Sequence, residues 1–269
     1  MEVNGVYYHL ETIGNGPKKL LWLHGFTGTG NNIKEALTFF KNNEDYTFFL
    51  LDFLGHGNSS IPADSGRYSM ENTVEDIKVI LDKMGIAKIS LLGYSMGGRV
   101  ALAFTATYPS YVEKLVLESA SPGLRTEEER LERTKADKRL AERILHDGLE
   151  DFVEYWTNIP LFQTQKLLSD DRQQQIKVKR LQNSPIGLAN SLSGLGTGSQ
   201  PSYWERLEDC KVKVLLLAGE VDKKFVLIAE KMKRLMKNAQ YVKISGAGHA
   251  IHVEQPRKFG KIVSEFLSN

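Results

Sequence analysis

Of 269 residues only one is cysteine, Cys210. No disulfide can form within the chain, which excludes a disulfide-stapled scaffold and fits a reducing compartment. Cys210 reads as a small apolar residue just ahead of a strand. Net charge is equally scarce, since 35 Lys+Arg against 33 Asp+Glu leave +2. Such a balance gives no broad basic surface for nucleic acid or an anionic membrane. No apolar run approaches the roughly 18 residues of a transmembrane helix. The opening residues Met1-Glu2-Val3-Asn4 lack the basic stretch and apolar run of a signal peptide. Together these absences predict a cytoplasmic protein that does not insert into membranes. There is no HExxH pattern, no Cys pair, and no glycine spacing of the dinucleotide or P-loop type, so no metal and no cofactor are expected.

What remains is ordinary globular material, 41% hydrophobic and 25% charged. It is long enough to bury most of its apolar surface in one core. Short apolar runs at Leu20–Leu23, Phe48–Leu51, Ile89–Leu92 and Leu115–Leu117 predict buried strands. Between them, Asn31–Phe40, Met70–Met84 and Gly97–Thr107 predict helices. In the second of these, Val74, Ile77, Ile80, Leu81 and Met84 recur at helical spacing. Strand–helix alternation implies a mostly parallel sheet with helices on both faces.

The alternation stops after Ser121-Pro122-Gly123. Charged helical stretches follow at Glu127–His146, Leu149–Trp156 and Asp170–Leu181, and Ser193–Gly198 reads as a flexible connector. Alternation resumes with a strand at Val212–Leu217, a helix at Val226–Met236, a strand at Tyr241–Ile244 and a helix at Pro256–Leu267. The expected organisation is an α/β core formed by residues 1–121 and 199–269, with a helical cap at 122–198. An insertion after a strand of such a sheet lies over the ligand crevice.

Gly93-Tyr94-Ser95-Met96-Gly97 fits the pattern G-x-S-x-G between a strand and a helix. A sharp turn there exposes the Ser95 hydroxyl, and the helix N-terminus adds positive potential. A serine needs a base. Asp222 lies just past one strand, and His249 in Gly246-Ala247-Gly248-His249 lies just past the next. The reading is that His249 accepts the Ser95 proton and Asp222 orients His249. His252 competes with His249 for that role, and Glu220 with Asp222. His24-Gly25-Phe26 ends another strand, so the backbone N–H groups of Phe26 and Met96 are the expected oxyanion hole. His24 and His56 are expected to serve their loops structurally.

Taken jointly, His24-Gly25, Ser95, Asp222 and His249 resemble the α/β-hydrolase superfamily over essentially the whole chain. A narrower resemblance rests on Gly93–Ala101, Ser121-Pro122-Gly123-Leu124, Trp156 with Pro160-Leu161-Phe162, Gly196-Thr197-Gly198 and Gly219–Phe225. These stretches look like the 2-succinyl-6-hydroxy-2,4-cyclohexadiene-1-carboxylate synthases of menaquinone biosynthesis. The resemblance implies an α/β-hydrolase fold with a helical cap, and a lyase that eliminates pyruvate from a cyclohexene bearing an enolpyruvyl ether. It implies a substrate with three carboxylates, contacted by Arg99, one helical turn after Ser95, and by Arg133 and Arg180 of the cap. Arg130, one turn before Arg133, competes with it. Guanidinium forks match carboxylate geometry. Tyr94 and Trp156 are expected to line the pocket. The partner is thus a small polycarboxylate, and the chain is expected to be a monomer or weak dimer. A serine hydrolase of esters or carbon–carbon bonds, using the same triad, and a noncatalytic ligand-binding protein of this fold are the alternatives. Acids and bases balance within the insertion too, at 12 each between Ser121 and Arg180, so any cationic pocket must come from a few residues aimed inward.

Overall fold

A computed structural model describes all 269 residues. The chain opens with a small hairpin, β1 (Glu2–Val3) and β2 (Val6–Tyr7), followed by β3 (Leu10–Ile13), β4 (Lys18–Leu23), α1 (Lys34–Leu37) and β5 (Tyr46–Leu51). Next come α2 (Met70–Lys83), β6 (Ile89–Tyr94), α3 (Met96–Thr107) and β7 (Val112–Glu118). The inserted helices are α4 (Glu127–His146), α5 (Leu149–Asn158), α6 (Asp170–Leu181) and α7 (Pro185–Leu195). The chain closes with β8 (Lys213–Gly219), α8 (Lys223–Leu235), β9 (Ala239–Ile244), α9 (Ile251–Glu254) and α10 (Pro256–Ser268).

Seven strands form one sheet in the order β3-β5-β4-β6-β7-β8-β9. Only β3 runs antiparallel, pairing Leu10 with Leu51 at the edge. The apolar runs are buried on both faces because alternate residues feed opposite cores. Leu21, Leu23, Leu91, Leu115 and Leu216 join the side covered by α2, α3 and α8. Leu20, Trp22, Leu92, Val116 and Leu217 join the side covered by α1 and α10. Parallel strands leave all their C-terminal ends on one edge, and the loops bearing Phe26, Ser95, Asp222 and His249 emerge there. No helix is long and apolar enough to cross a membrane.

The insertion carries its own small core of Ile144, Phe152, Val153, Leu188 and Leu192, with Phe26 of the β4 loop packed against it. Helix α4 starts where Thr126 accepts the Glu129 N–H (3.1 Å) and Glu129 accepts the Thr126 N–H (3.0 Å), a reciprocal cap. Two sequence expectations need correction. The stretch Ser193–Gly198 is not a connector throughout, because α7 runs to Leu195. Gly187 and Gly194 disguise a closely packed helix: a Cβ on Gly187 would stand 2.2 Å from the carbonyl oxygen of Gly55, and one on Gly194 would stand 2.4 Å from that of Ser65. The signal that marks this helix is Ser184-Pro185, with Ser184 Oγ accepting the Gly187 N–H at 3.2 Å and proline at the first turn. The stretch Asn31–Phe40 is helical only in pieces, a 3-10 turn at Gly30–Ile33 and then α1. The carboxylate of Asp52 takes the Gly30 N–H at 2.7 Å and holds the entry of that segment.

Candidate active site

Ser95 sits between β6 and α3 at φ 51°, ψ −108°, a conformation that non-glycine residues adopt only when their surroundings impose it. Gly97 makes the turn possible: a Cβ there would lie 2.0 Å from the Leu23 carbonyl oxygen. His249 Nε2 lies 2.9 Å from Ser95 Oγ, and its Nδ1 lies 2.6 Å from Asp222 Oδ2. With Asp222 ionised, Nδ1 carries the proton and Nε2 is free to accept one from the serine. Asp222 also caps α8, its Oδ1 accepting the Phe225 N–H at 3.4 Å. The Phe225 ring stands 4.6 Å from the His249 ring and shields it.

The competing residues lie elsewhere. Glu220 is turned outward, accepting from Ser245 Oγ (2.9 Å) and the Gly246 N–H (3.2 Å), and these bonds hold its carboxyl below the usual range. His252 is buried against Glu118, with Nδ1 2.9 Å from Oε2. Arg130 binds the carbonyls of Leu124 and Arg125 at the start of α4.

Phe26 follows His24-Gly25, and its N–H has no acceptor within the chain. Met96 is the first residue of α3, where an N–H has no helical acceptor. Both residues line the cavity that holds Ser95. His24 braces this loop: Nδ1 donates to the Gly25 carbonyl (2.8 Å) and Nε2 accepts the Phe53 N–H (3.0 Å). Burial pushes its pKa down to about 4, which keeps the ring neutral. The loop then turns at Thr27, φ 65°, whose carbonyl accepts from Asn183 of the insertion at 3.0 Å.

The cavity has a volume of about 190 Å³ between the sheet edge and the inserted helices. Three cations line it: Arg99, Arg133 and Lys224. Arg99 is only 8% exposed, and no carboxylate pairs with it. It donates to Gln200 Oε1 (2.5 Å) and the Leu195 carbonyl (2.8 Å), and burial brings its pKa down to about 10. Arg133 donates from Nε to Asp137 at 2.8 Å. Lys224 is held below the ordinary lysine range by burial and then by Arg133, with Asp222 opposing. Sequence reasoning missed Lys224 and Gln200. Lys224 stands two residues after the acid and two before the predicted helix Val226–Met236, in the first turn of α8, and its adjacency to the acid is the signal that singles it out.

Arg180 does not line this cavity. It reaches a smaller one of about 60 Å³, together with Lys179, Trp22 and His252. Its guanidinium bonds to Thr157 Oγ1 (2.8 Å) and Gln165 Oε1 (3.3 Å) and lies 4.6 Å from the Phe162 ring centre. Phe26, Tyr94 and Phe162 border both cavities and form the wall between them. Tyr94 packs between His249 (5.3 Å) and His252 (4.7 Å). Trp156 stacks on Phe152 at 5.6 Å, and its buried Nε1 has no partner, leaving a donor on the cavity wall.

A strained serine on the turn from β6 to α3, an acid just past β8, a histidine just past β9, and an inserted helical roof define a class. The chain belongs to the alpha/beta hydrolase fold family, whose sequence pattern matches residues 19–256. Among curated proteins it is 47% identical, over 99% of its length and 96% of theirs, to a Bacillus subtilis (strain 168) protein named provisionally as a 2-succinyl-6-hydroxy-2,4-cyclohexadiene-1-carboxylate synthase. It is 32% identical to the Yersinia enterocolitica protein of that name, over 93% of this chain and 86% of the relative. Among solved structures, MenH from S. aureus superposes with a TM-score of 0.92 at 37% identity, covering 97% of this chain and 98% of that one. A malate-bound esterase from Thermogutta terrifontis superposes at 0.87 with 25% identity, covering 98% and 94%.

Proposed function

We propose that this enzyme is a 2-succinyl-6-hydroxy-2,4-cyclohexadiene-1-carboxylate synthase of menaquinone biosynthesis. It eliminates pyruvate from 2-succinyl-5-enolpyruvyl-6-hydroxy-3-cyclohexene-1-carboxylate. The observation that carries this reading is Arg99: a buried guanidinium one turn beyond Ser95, in the same cavity, held only by neutral groups. A buried cation is costly unless an anion meets it, and a substrate carboxylate supplies that anion. The names of the relatives agree with it.

In this mechanism His249 takes the Ser95 proton and Ser95 Oγ removes a ring proton. The negative charge moves to the succinyl carbonyl oxygen, where the N–H groups of Phe26 and Met96 stabilise it. The electrons then expel pyruvate as its enolate, which takes up the proton held on His249, so the triad is restored, no acyl-enzyme forms and no water is consumed. Arg99, Arg133 and Lys224 hold substrate carboxylates, and Trp156 and Tyr94 complete the wall. Arg180 stands behind Tyr94 and Phe162, so its part in binding depends on the ligand reaching across that wall.

A serine hydrolase is the second reading, because the same triad serves it and an esterase shares the fold. Incubation with the enolpyruvyl substrate separates the two. The synthase releases pyruvate and the cyclohexadiene in equal amounts and shows no burst on an activated ester. A purified protein that hydrolyses esters and releases no pyruvate contradicts the assignment.

A further inference from the structure

Glu118 ends β7 and is wholly buried, in register with Tyr94 of β6 on one side and Leu217 of β8 on the other. It therefore sits between the strand that delivers the nucleophile and the strand that delivers the acid. Its main-chain carbonyl accepts the Ser95 N–H at 2.9 Å. Its side chain is spent entirely on one residue: Oε1 accepts the His252 N–H at 2.9 Å, and His252 Nδ1 lies 3.0 and 2.9 Å from the two carboxylate oxygens. His252 belongs to α9, three residues beyond His249, and its ring is fixed by Trp22 at 5.2 Å and Tyr94 at 4.7 Å.

A carboxylate without solvent is costly to keep in a core, and a pair of apolar side chains would pack there at less cost. What the carboxylate adds is direction, since it grips a backbone N–H and an imidazole of the same turn at once. We propose that Glu118 is a positioning residue that sets the Ser95–His249 separation. Its backbone fixes the serine, and its side chain fixes the turn that follows the histidine. Neither Glu118 nor His252 lines the cavity that holds Ser95. The inference rests on the assignment of Ser95 and His249 as the reacting pair.

The test compares Glu118→Gln, Glu118→Leu and the double variant Glu118→Leu/His252→Leu. Folding is followed by thermal melting, kcat and KM by pyruvate release, and Ser95 reactivity by fluorophosphonate labelling. Glutamine keeps an acceptor for the His252 N–H and should hold kcat within about threefold. Leucine should lower kcat about 100-fold, the cost of misplacing a reacting group by about 1 Å. KM should stay within about twofold, because no pocket cation bonds to Glu118 or His252. Labelling of Ser95 should slow in parallel. Apolar replacement of a whole buried pair is commonly tolerated, so the double variant provides the folded protein if the single leucine does not. A folded leucine variant with wild-type kcat and labelling overturns the proposal, and so does a glutamine variant as slow as the leucine. If the wild type releases no pyruvate, the reaction assignment fails instead, and labelling still reads the Ser95–His249 geometry.

Discussion

Arg99 and Gln200 are joined across the cavity wall, Nη1 donating to Oε1 at 2.5 Å. The amide orients the guanidinium while leaving its charge unpaired. With Nη2 donating to the Leu195 carbonyl at 2.8 Å, two nitrogens are tied to neutral groups of the protein, and the cation is presented from a fixed direction. Arg99→Lys keeps the charge and loses the fork. We expect kcat/KM for the enolpyruvyl substrate to fall about 10- to 100-fold, the value of a charged hydrogen bond. Steady-state kinetics check it, and an unchanged kcat/KM contradicts a carboxylate at Arg99.

Lys224 gives the binding step a pH dependence. A lysine is charged below its pKa, and burial together with Arg133 lowers that of Lys224. Raising the pH therefore removes this charge earlier than it would for a free lysine. KM should climb on the alkaline side, and Lys224→Arg, which stays charged, should flatten the climb. Parallel KM–pH profiles for the two proteins count against a role for Lys224 in holding the substrate.

Gly97 tests the nucleophile turn through stability. A Cβ at that position meets the Leu23 carbonyl oxygen at 2.0 Å and its carbon at 2.4 Å, and both are backbone atoms of a central strand. Gly97→Ala should destabilise the fold by about 3 kcal/mol, the upper range for overpacking. Urea unfolding measures it, and a loss below about 1 kcal/mol means the turn has more room than the structure gives it.

His24 and His56 are buried rings with pKa values lowered to about 4 and about 3, in each case mainly by desolvation. Above about pH 6.5 they are neutral in both folded and unfolded chains. Below it the unfolded chain takes up protons that the folded chain refuses, so stability falls as the pH drops. Each should remove about 2 kcal/mol between pH 7 and pH 5. Glu254, whose carboxyl is raised by burial, works in the opposite sense, so the comparison is made with His56→Leu. That variant should lose about 2 kcal/mol less than the wild type over the same interval. Equal pH slopes contradict a neutral, buried His56.

The central sheet is legible in the sequence because strands buried on both faces become unbroken apolar runs. Leu20–Leu23 and Ile89–Leu92 lie inside β4 and β6. The edge strand β3, Leu-Glu-Thr-Ile, carries no such run because it is only partly buried. Helix α7 is hidden by Gly187 and Gly194, which serve close contact with Gly55 and with Ser65 and Tyr68 rather than helix propensity. Ser95, Asp222 and His249 can be found because each sits at a strand end with a local turn pattern, and the structure brings the three within hydrogen-bonding reach. The cation set is only half legible. Which basic side chains turn inward depends on how the insertion docks, so Lys224 enters the cavity while Arg180 takes a smaller one.

The most direct measurement is kcat for pyruvate release by wild type and by Ser95→Ala, on the enolpyruvyl substrate at saturation. The account predicts a loss of about 10³-fold or more, as expected when the group that takes the proton is removed, with KM little changed because the cations remain. Pyruvate release by Ser95→Ala at the wild-type rate would contradict it.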